Sequence, residues 1–549
     1  MGKRMARHSK PLTLNRYAVC RACWPGILSI VLLFLFIGGS FSALFMVASN
    51  DELIIALDES VYLRNVVSFT LFQATLSTLI SVGIGIFVAR AFARRQSFKG
   101  RKLILQFLGL PIVTPVIIAA LGITAIYGQN GILRNTLDHL GFSWSGSIYG
   151  LSGILIAHVF FNLPLSIRML LPVWDRIPSE SWRLAAQIGM NSSQIFFWLE
   201  WPALTKSLAG TIGVVFLLCF SSFAVVLILG GGPSSTTIEV AIYEALRFDF
   251  DLPKAATLAI VQLLICTIIL ISLHRWMRMQ TISYGLKKTC QYRSDLNQKG
   301  SLSIDLSLIS LTILFVALPL IAIIYKGLKG PLTQVILNPD LWAAAGRSLG
   351  IAVFASTIAL LLAVALIITS RHLLFRYKLN SLSSSVQIMG SMTLAAPPMV
   401  IGTGLFILLL PLGIAFDSAI FVIIFVNAIL LLPYMMRTIG PAIMDAGYRY
   451  EILCWQLDLR GINRLKIVDW PLIRQPLGFA MAFCATLSFG DLGVAALFDT
   501  SGTITLPVLL YHQLGNYRFN EAASTALVLM FLCATTFFIV DRGIRKWRT

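Results

Sequence analysis

Charged residues are scarce in this chain, and acidic ones are the scarcest. Asp, Glu, Lys and Arg make up 12% of the 549 residues, whereas soluble domains carry about a quarter. The hydrophobic fraction is 57%, and several uncharged apolar stretches reach 20 residues or more. About 20 apolar residues are enough to cross the hydrocarbon core of a bilayer. The composition therefore excludes a soluble globular protein and indicates a polytopic membrane protein.

Cysteine and histidine are also few, and they form no metal or redox motif. Most of the eight cysteines lie inside apolar segments, where Cys behaves as a small hydrophobe. Cys20 and Cys23 have CxxC spacing, but no second pair follows, which favours a chance pair. His158 and Asn162 share a helix face, and with no third ligand, interhelical hydrogen bonding is favoured over metal binding. The sequence predicts no metal and no cofactor bound by this chain.

Motifs for nucleotide binding and hydrolysis are absent as well. The sequence contains no G-x-x-x-x-G-K-[ST] phosphate loop, no H-E-x-x-H and no G-x-S-x-G. No polar stretch is long enough to hold an ATPase domain. These absences argue against a membrane-embedded enzyme. ATP hydrolysis coupled to this protein would therefore occur in another subunit.

Basic charge is what the sequence has in excess, with 43 Lys and Arg against 24 Asp and Glu. The basic residues cluster at both ends of the chain and in the loops after the second, sixth and eighth apolar segments. Acidic residues such as Asp51 and Glu244 occupy the alternate loops. The positive-inside rule then predicts that both termini are cytoplasmic. Orientation of membrane loops explains the charge better than nucleic-acid binding, so we expect contact with membrane lipid and none with nucleic acid.

Twelve segments are long and apolar enough to span the membrane as helices. They lie near 24–48, 67–91, 103–127, 148–172, 206–230, 254–275, 303–326, 348–370, 387–410, 416–436, 476–498 and 523–541.

The two halves of the chain repeat each other at a constant offset in numbering, which we call the repeat offset. The residues Pro164, Arg168 and Pro172 recur as Pro433, Arg437 and Pro441, so the repeat offset is 433 − 164 = 269. Six spans per half is an even number, so the halves share one orientation as parallel repeats. The sequence predicts an all-α polytopic fold with a first repeat at 1–275, a cytoplasmic linker at 276–302 and a second repeat at 303–549.

One loop in each half is long and not simply basic. We define the first loop segment as residues 178–202 and the second loop segment as residues 447–471. Pro178 and the Ser-Glu after it start a helix, which Gly189 stops, and Asn191 can cap another. The pattern predicts a helix–glycine–helix unit lying against the membrane. An ordinary interfacial amphipathic helix is the alternative.

The spacing of Gly189 and Pro202 (202 − 189 = 13) resembles that of the EAA loop of ABC importer permeases. That motif reads E-A-A-x-x-x-G, with a Pro at the thirteenth position after the glycine. The resemblance implies that each loop segment docks in a cleft of an ATPase subunit and passes its closure to the membrane helices. The docking residues it implies are Arg183, Leu184, Ala185, Ala186, Gly189 and Pro202, and Ile452, Leu453, Cys454, Asp458, Gly461 and Pro471.

Both loop segments depart from the family pattern. Arg183 and Ile452 stand where the family has glutamate, and Leu184 replaces the first alanine. Asp458 stands at the glycine position of the second loop segment, followed three positions later by Gly461. The overall loop shape is therefore expected to follow the family, whereas the individual polar contacts differ.

Longer stretches, among them 230–243, 487–498 and 506–518, are similar to the fused permeases of bacterial thiamine and thiamine pyrophosphate ABC importers. The resemblance implies an inner-membrane importer subunit that moves a small-molecule substrate by alternating access. It also implies two copies of an ABC ATPase, which use ATP and Mg, and a periplasmic substrate-binding protein. Fused permeases for ferric iron or another small ligand are the alternative, since composition and spacing alone indicate only a duplicated importer-like permease.

Asp491 is the one acid set firmly inside a predicted span, and its counterpart in the first half is Ser222 (491 − 222 = 269). A buried carboxylate in a membrane usually faces a cavity or a partner, so Asp491 and Ser222 are candidate residues of the translocation pathway. A hydrogen-bonded residue that holds helices together is the alternative for Asp491. A secondary transporter would need coupling carboxylates near the midplane, often in inverted repeats, which makes it the less favoured function.

Overall fold

The computed structural model describes residues 16–48, 60–129, 131–139, 141, 147–278, 293–297, 300–393, 396–459, 461–500 and 502–546. All regular secondary structure within these ranges is helical, which confirms the predicted all-α class.

The helices of the first half of the chain are α1 Arg16–Ala48, α2 Ser60–Arg94, α3 Arg101–Phe107, α4 Leu110–Val113, α5 Val116–Tyr127, α6 Ile132–His139, α7 Leu151–Leu170, α8 Ser179–Gln187, α9 Ser192–Ile195, α10 Trp201–Phe220, α11 Ala224–Leu229, α12 Ile238–Glu244 and α13 Leu252–Arg278. Those of the second half are α14 Ser301–Lys329, α15 Leu332–Leu337, α16 Pro339–Arg371, α17 Asn380–Met392, α18 Pro398–Leu409, α19 Ala419–Gln456, α20 Gly461–Arg464, α21 Trp470–Phe489, α22 Gly493–Leu497, α23 Leu506–Gly515 and α24 Phe519–Lys546.

The predicted polytopic character is confirmed. In the described residues, eleven helices are long and apolar enough to cross a membrane, and a shorter apolar helix covers Pro398–Leu412. Together they match the twelve predicted segments. Four segments predicted as continuous are broken. In two of them proline starts the new helix: Pro115 precedes α5, and Pro397 precedes α18.

The chain forms two compact units whose composition differs from that of the sequence repeats. One unit comprises Asp51–Asn338 and Leu510–Val528, and the other comprises Met1–Asn50, Pro339–Leu509 and Leu529–Thr549. The unit that begins at Asp51 thus contains α14, the first spanning helix of the second repeat, together with residues 510–528 of that repeat. The other unit contains α1, the first spanning helix of the first repeat. The predicted boundaries at 275 and 302 concern the sequence duplication and stay a prediction.

Close helix approach explains how these first helices are held. In the unit of α14, a Cβ added at Gly122 of α5 would lie 2.5 Å from the carbonyl oxygen of Pro319 in α14, so only glycine fits there. In the unit of α1, Ser40 donates a hydrogen bond to the carbonyl of Ile401 in α18 (2.9 Å). Small residues and interhelical hydrogen bonds replace the hydrophobic effect, which does not drive helix association in lipid.

Candidate functional site in the two loop segments and the helix breaks

The first loop segment folds as the sequence predicts, with α8 ending at a glycine turn. Gly189 has φ 71°, in the left-handed region where glycine carries no Cβ penalty. The N–H of Met190 donates to the carbonyl of Ala185 (3.0 Å), and the N–H of Gly189 donates to that of Ala186 (3.2 Å). These two bonds form a Schellman motif, which satisfies the last carbonyls of α8. Asn191 then caps α9 in a capping box.

The second loop segment has the same turn without a glycine in it. Asp458 adopts φ 49°, and the N–H of Leu459 donates to the carbonyl of Cys454 (2.8 Å). The N–H of Asp458 donates to the carbonyl of Trp455 (3.3 Å). Each of these residues is related to its counterpart in the first turn by the repeat offset. The turn geometry is therefore shared by the loop segments, because Asp tolerates the left-handed conformation better than most residues.

The helix before the turn differs between the two loop segments. The sequence predicted that the tenth span ends near 436, but α19 continues unbroken for 38 residues to Gln456. In the first half, by contrast, Ile177 has an extended backbone and α8 starts after Pro178. The position of Pro178 is occupied by Gly447 in the second half (447 − 178 = 269). Gly447 places no such restriction on the preceding residue, and α19 continues into the loop segment, although it accommodates Pro433 and Pro441 within its length.

Each loop segment presents an apolar side chain outward at a matched position. Leu184 is 56% exposed and Leu453 is 48% exposed. Ala185 and its counterpart Cys454 are instead buried within the fold. The remaining predicted docking residues Arg183, Gly189, Pro202, Ile452, Asp458, Gly461 and Pro471 are exposed, and Ala186 is half-buried.

Glu200 is a buried carboxylate that the sequence analysis missed. Its side chain is fully buried after the π-helical turn Phe196–Glu200. Arg90 Nε of α2 donates to it (2.5 Å), Arg293 Nη2 donates to it (2.6 Å), and so does the indole N–H of Trp174 (2.9 Å). Buried charges persist in proteins only when they are paired in this way.

Asp469 occupies the corresponding position of the second loop segment, after the π-helical turn Leu465–Asp469. Arg371 Nη1, at the end of α16, donates to its Oδ1 (3.0 Å), and Arg464 Nε lies 3.7 Å from its Oδ2. The signal that could have revealed both carboxylates is that Glu200 and Asp469 each precede Trp-Pro and are related by the repeat offset.

Two charged residues of the linker, Arg293 and Asp295, are buried. Arg293 donates to Asp295 (3.0 Å), and Arg94 lies 3.1 Å from Asp295 and 3.2 Å from Asp305. Burial alone would raise the pKa of Asp295, but the hydrogen bond and charge of Arg293 and the charge of Arg94 lower it below the usual value. The Arg293 guanidinium also lies over the ring of Trp182 in α8, 4.3 Å from its centroid.

Asp491 lies at a break in a membrane helix that the sequence predicted as continuous. It separates α21 from α22, its N–H donates to the carbonyl of Ser488 (3.3 Å), and its Oδ1 accepts from the N–H of Gly493 (3.2 Å). Its Oδ2 is buried and forms no hydrogen bond of normal geometry, although the side chain of Asn427 and the backbone of Val494 also stabilise the carboxylate. Ser222 lies at the corresponding break between α10 and α11. The structure thus places both candidate pathway residues at matched helix interruptions.

The loop segments and the breaks are at opposite ends of the same helices. Pro471 lies at the start of α21 and Asp491 follows its end, and 20 helical residues span about 30 Å. Pro202 and Ser222 are related in the same way by α10. The docking candidates and the pathway candidates are therefore not brought together, and each helix connects one with the other.

Hydrogen bonds between helices also account for the polar pair on α7, as predicted. His158 Nδ1 lies 2.9 Å from the hydroxyl of Ser77 in α2. The amide of Asn162 donates to the sulfur of Cys219 in α10 (3.2 Å).

Comparison with known proteins agrees with this architecture. Residues 81–278 match the family described as binding-protein-dependent transport system inner membrane component. A thiamine transport system permease protein of Brucella abortus (strain 2308) is 40% identical over 518 residues, which cover 94% of each chain. That of Escherichia coli (strain K12) is 39% identical over 519 residues, 94% of this chain and 96% of the relative.

A ferric transport system permease protein of Actinobacillus pleuropneumoniae is 28% identical over 287 residues. That match covers 50% of this chain and 41% of the relative, whereas the thiamine relatives align over nearly their full length. The resemblance deduced from the sequence motifs is confirmed. This chain belongs to the thiamine transport system permease family, whose members are multi-pass membrane permeases of ABC importers.

Proposed function

We propose that this protein is the membrane-spanning subunit of an ATP-driven importer that moves thiamine and its phosphates across the bacterial inner membrane. The observation that carries the proposal is the full-length similarity to thiamine permeases from distant bacteria, at 40% and 39% identity. Ligand delivery would come from a periplasmic substrate-binding protein. Both termini would be cytoplasmic. The basic loops on the same side would contact the membrane lipid.

Two loop segments with one turn geometry support two ATPase partners per chain. Each segment displays an exposed leucine at the same position of the helix before the turn, Leu184 and Leu453. An apolar side chain on a rigid helix is suited to insertion into a cleft of another protein. In this proposal the ATPases bind ATP and Mg, and hydrolysis takes place in them alone.

The coupling would run from each loop segment along the helix that follows it. ATPase closure would displace α8 and α19, and the buried carboxylates Glu200 and Asp469 would pass the movement to α10 and α21. Both of these helices end at a break about 30 Å away. Movement at the breaks would then alternate access to the pathway between the two sides.

Asp491 is suited to a cationic ligand because it places a carboxylate with neutral hydrogen-bond partners at the break between α21 and α22. The thiazolium ring of thiamine carries a permanent positive charge, which would replace part of the solvation that the carboxylate loses in the membrane. Ser222 would offer a neutral hydroxyl at the matched position of the other unit.

Uptake of labelled thiamine by cells that lack other thiamine transporters tests the substrate. Cells expressing this chain with its ATPase and binding protein should accumulate thiamine, and cells without the chain should not. Labelled ferric iron in parallel tests the alternative. Uptake of iron but not of thiamine would overturn the substrate assignment.

Docking can be tested separately through the exposed leucines. Removing a leucine side chain from an interface costs about 1.5–3 kcal/mol, so Leu184→Ala and Leu453→Ala should each weaken ATPase binding about tenfold or more. Leu302→Ala is the matched control, because this leucine is also exposed but lies outside the loop segments. Equal effects of all three substitutions would contradict docking at these positions. Co-purification should give two ATPase copies per chain.

A further inference from the structure

The two loop segments are braced in different ways, and the difference lies in where the positive charge comes from. In the second loop segment, Arg464 donates to Glu451 of α19 (2.6 Å) and lies 3.7 Å from Asp469. One guanidinium therefore connects the helix before the turn with the carboxylate after it. This brace is built from residues of the loop segment itself.

The first loop segment lacks every polar partner of that brace except the last carboxylate. By the repeat offset, the counterparts of Glu451, Arg464 and Asp469 are Trp182, Ile195 and Glu200. Trp182 and Ile195 are both buried and neither carries a charge. Left to its own residues, this loop segment would leave Glu200 facing an apolar neighbour.

Arg293 of the linker has the role in the first loop segment that Arg464 has in the second. Its Nη2 donates to Glu200 (2.6 Å), and its guanidinium lies over the ring of Trp182, 4.3 Å from the centroid. A cation over an aromatic face replaces the ion pair that Arg464 forms with Glu451. Arg293 therefore connects the helix before the turn with the carboxylate after it, as Arg464 does.

Arg90 of α2 also pairs with Glu200, but its other contacts lie on one side of the turn only. Its Nη2 donates to the carbonyl of Ser192 (2.7 Å), and its guanidinium lies over the ring of Phe196, 4.8 Å from the centroid. Both of these residues follow Gly189 in the chain. Arg90 thus holds the part of the loop segment after the turn, whereas Arg293 also reaches the helix before it.

The position of Arg293 is itself fixed. Asp295 accepts from its Nε (3.0 Å) and from its Nη2 (3.1 Å), and the side chains of Arg293 and Asp295 are buried. Arg94 pairs with both Asp295 and Asp305, the latter in α14. The described linker residues 293–297 are thus anchored at both of their charged side chains and hold the guanidinium at the loop segment.

The turn cannot supply this rigidity by its own packing. Gly189 is exposed, and a Cβ added to it would meet nothing within 4 Å. The chain before α8 is also interrupted at Pro178, so α8 is joined to the fold by a turn on one side and an extended residue on the other. Trp182 is the largest of the three buried side chains that hold α8 against the fold, the others being Ser179 and Ala185.

We propose that Arg293 is the positioning residue of the first loop segment, which depends on the linker between the repeats for the brace that the second loop segment contains in itself. The effect on coupling rests on the function proposed above, because it assumes that an ATPase docks on α8. The predicted loosening of the first loop segment itself does not depend on the proposed function.

Hydrogen exchange in the purified full-length chain, without ATPase, tests the brace directly. Loss of a hydrogen bond to a charged group is expected to raise exchange about tenfold or more. Arg293→Gln should raise the exchange rate of the amides of residues 179–189 and leave that of residues 448–458 unchanged. Arg464→Gln should raise the exchange rate of residues 448–458 and leave that of residues 179–189 unchanged. Arg449→Gln is the matched control, since Arg449 of the second loop segment forms an exposed pair with Asp445, which precedes that segment.

The same brace should be transferable between the loop segments. Trp182→Glu combined with Ile195→Arg recreates the arrangement of the second loop segment and should restore slow exchange in the Arg293→Gln background. Should Arg293→Gln fail to accumulate, Arg293→Lys keeps the charge but loses the fork that reaches two partners, and should give intermediate exchange. Unchanged exchange in 179–189, or an equal rise in both loop segments, would overturn the proposal.

A second readout separates this proposal from the proposed function. In the assembled importer, Arg293→Gln should raise the ATP hydrolysed per thiamine imported, with the amount of bound ATPase unchanged, whereas a purely structural defect would lower both activities together. If the wild-type chain bound no ATPase, the proposed function would fail while the exchange result would still support or overturn the brace.

Discussion

Asp458 adopts the left-handed backbone conformation of its counterpart Gly189, with φ 49° against 71°. A residue with a Cβ is strained in this region, and Asp is among the few that occupy it routinely. The second half of the chain therefore has the same turn, but with a residue whose Cβ is strained in this conformation.

The turn predicts opposite stability changes for substitutions in the two loop segments. Gly189→Ala should destabilise the protein by about 1 kcal/mol through backbone strain alone, because no neighbour obstructs the new Cβ. Asp458→Gly should instead relieve strain and raise the unfolding temperature. Gly189→Asp should cost less than Gly189→Ala, since the chain tolerates Asp at the matched position. Thermal unfolding of the purified protein measures all three. A larger loss for Gly189→Asp than for Gly189→Ala would show that strain is not the cause.

Substitution of the buried carboxylates Glu200 and Asp469 is expected to cost more stability than substitution in the turns. Glu200→Gln removes the acid that pairs with Arg90 and one of the two acids that pair with Arg293, and Asp469→Asn removes the acid that pairs with Arg371. Removing one partner of a buried ion pair costs about 3–5 kcal/mol. Asp445→Asn, which breaks an exposed pair with Arg449, should cost at most about 1 kcal/mol. Comparable unfolding temperatures for the buried and the exposed variants would contradict this assignment.

Asp295 predicts a stability change with pH. Its folded pKa lies below the usual value of about 3.9, so its pairing contributes fully above that pH and is lost as the pH falls through the folded pKa. The difference in unfolding temperature between the wild type and Asp295→Asn should be constant from about pH 7 to pH 5. It should shrink below about pH 4. A difference that already disappears between pH 7 and pH 5 would assign the effect to another group.

Substitution of Asp491 is expected to reduce transport while the complex still assembles normally. Asp491→Asn should lower thiamine uptake on the order of tenfold, the loss expected for one contact to a charged group. Asp491→Glu, which keeps the charge, should retain more activity, and Asp417→Asn, an exposed position in the same unit, serves as control. Full uptake by Asp491→Asn in a normally assembled complex would leave helix packing as the role of this residue.

The sequence alone determined the features that depend on near neighbours in the chain or on self-similarity. Apolar length predicted the spans, and the repeat offset revealed two related halves. The start at Pro178 and the stop at Gly189 placed α8 correctly, because helix ends are encoded within one or two turns. The loop motifs and the longer similar stretches were enough to identify the family. No comparison of side-chain contacts was needed for any of these.

Only the tertiary structure decided which distant residues meet. Glu200 and Arg293 are 93 positions apart, and the sequence showed neither that Arg293 is buried nor that it supplies the guanidinium that the first loop segment lacks. The placement of α1 and α14 in the units of the opposite repeats is a finding of the same kind. A buried charge must find a partner wherever the fold brings one within reach, and reach in space is set by helix packing rather than by distance along the chain.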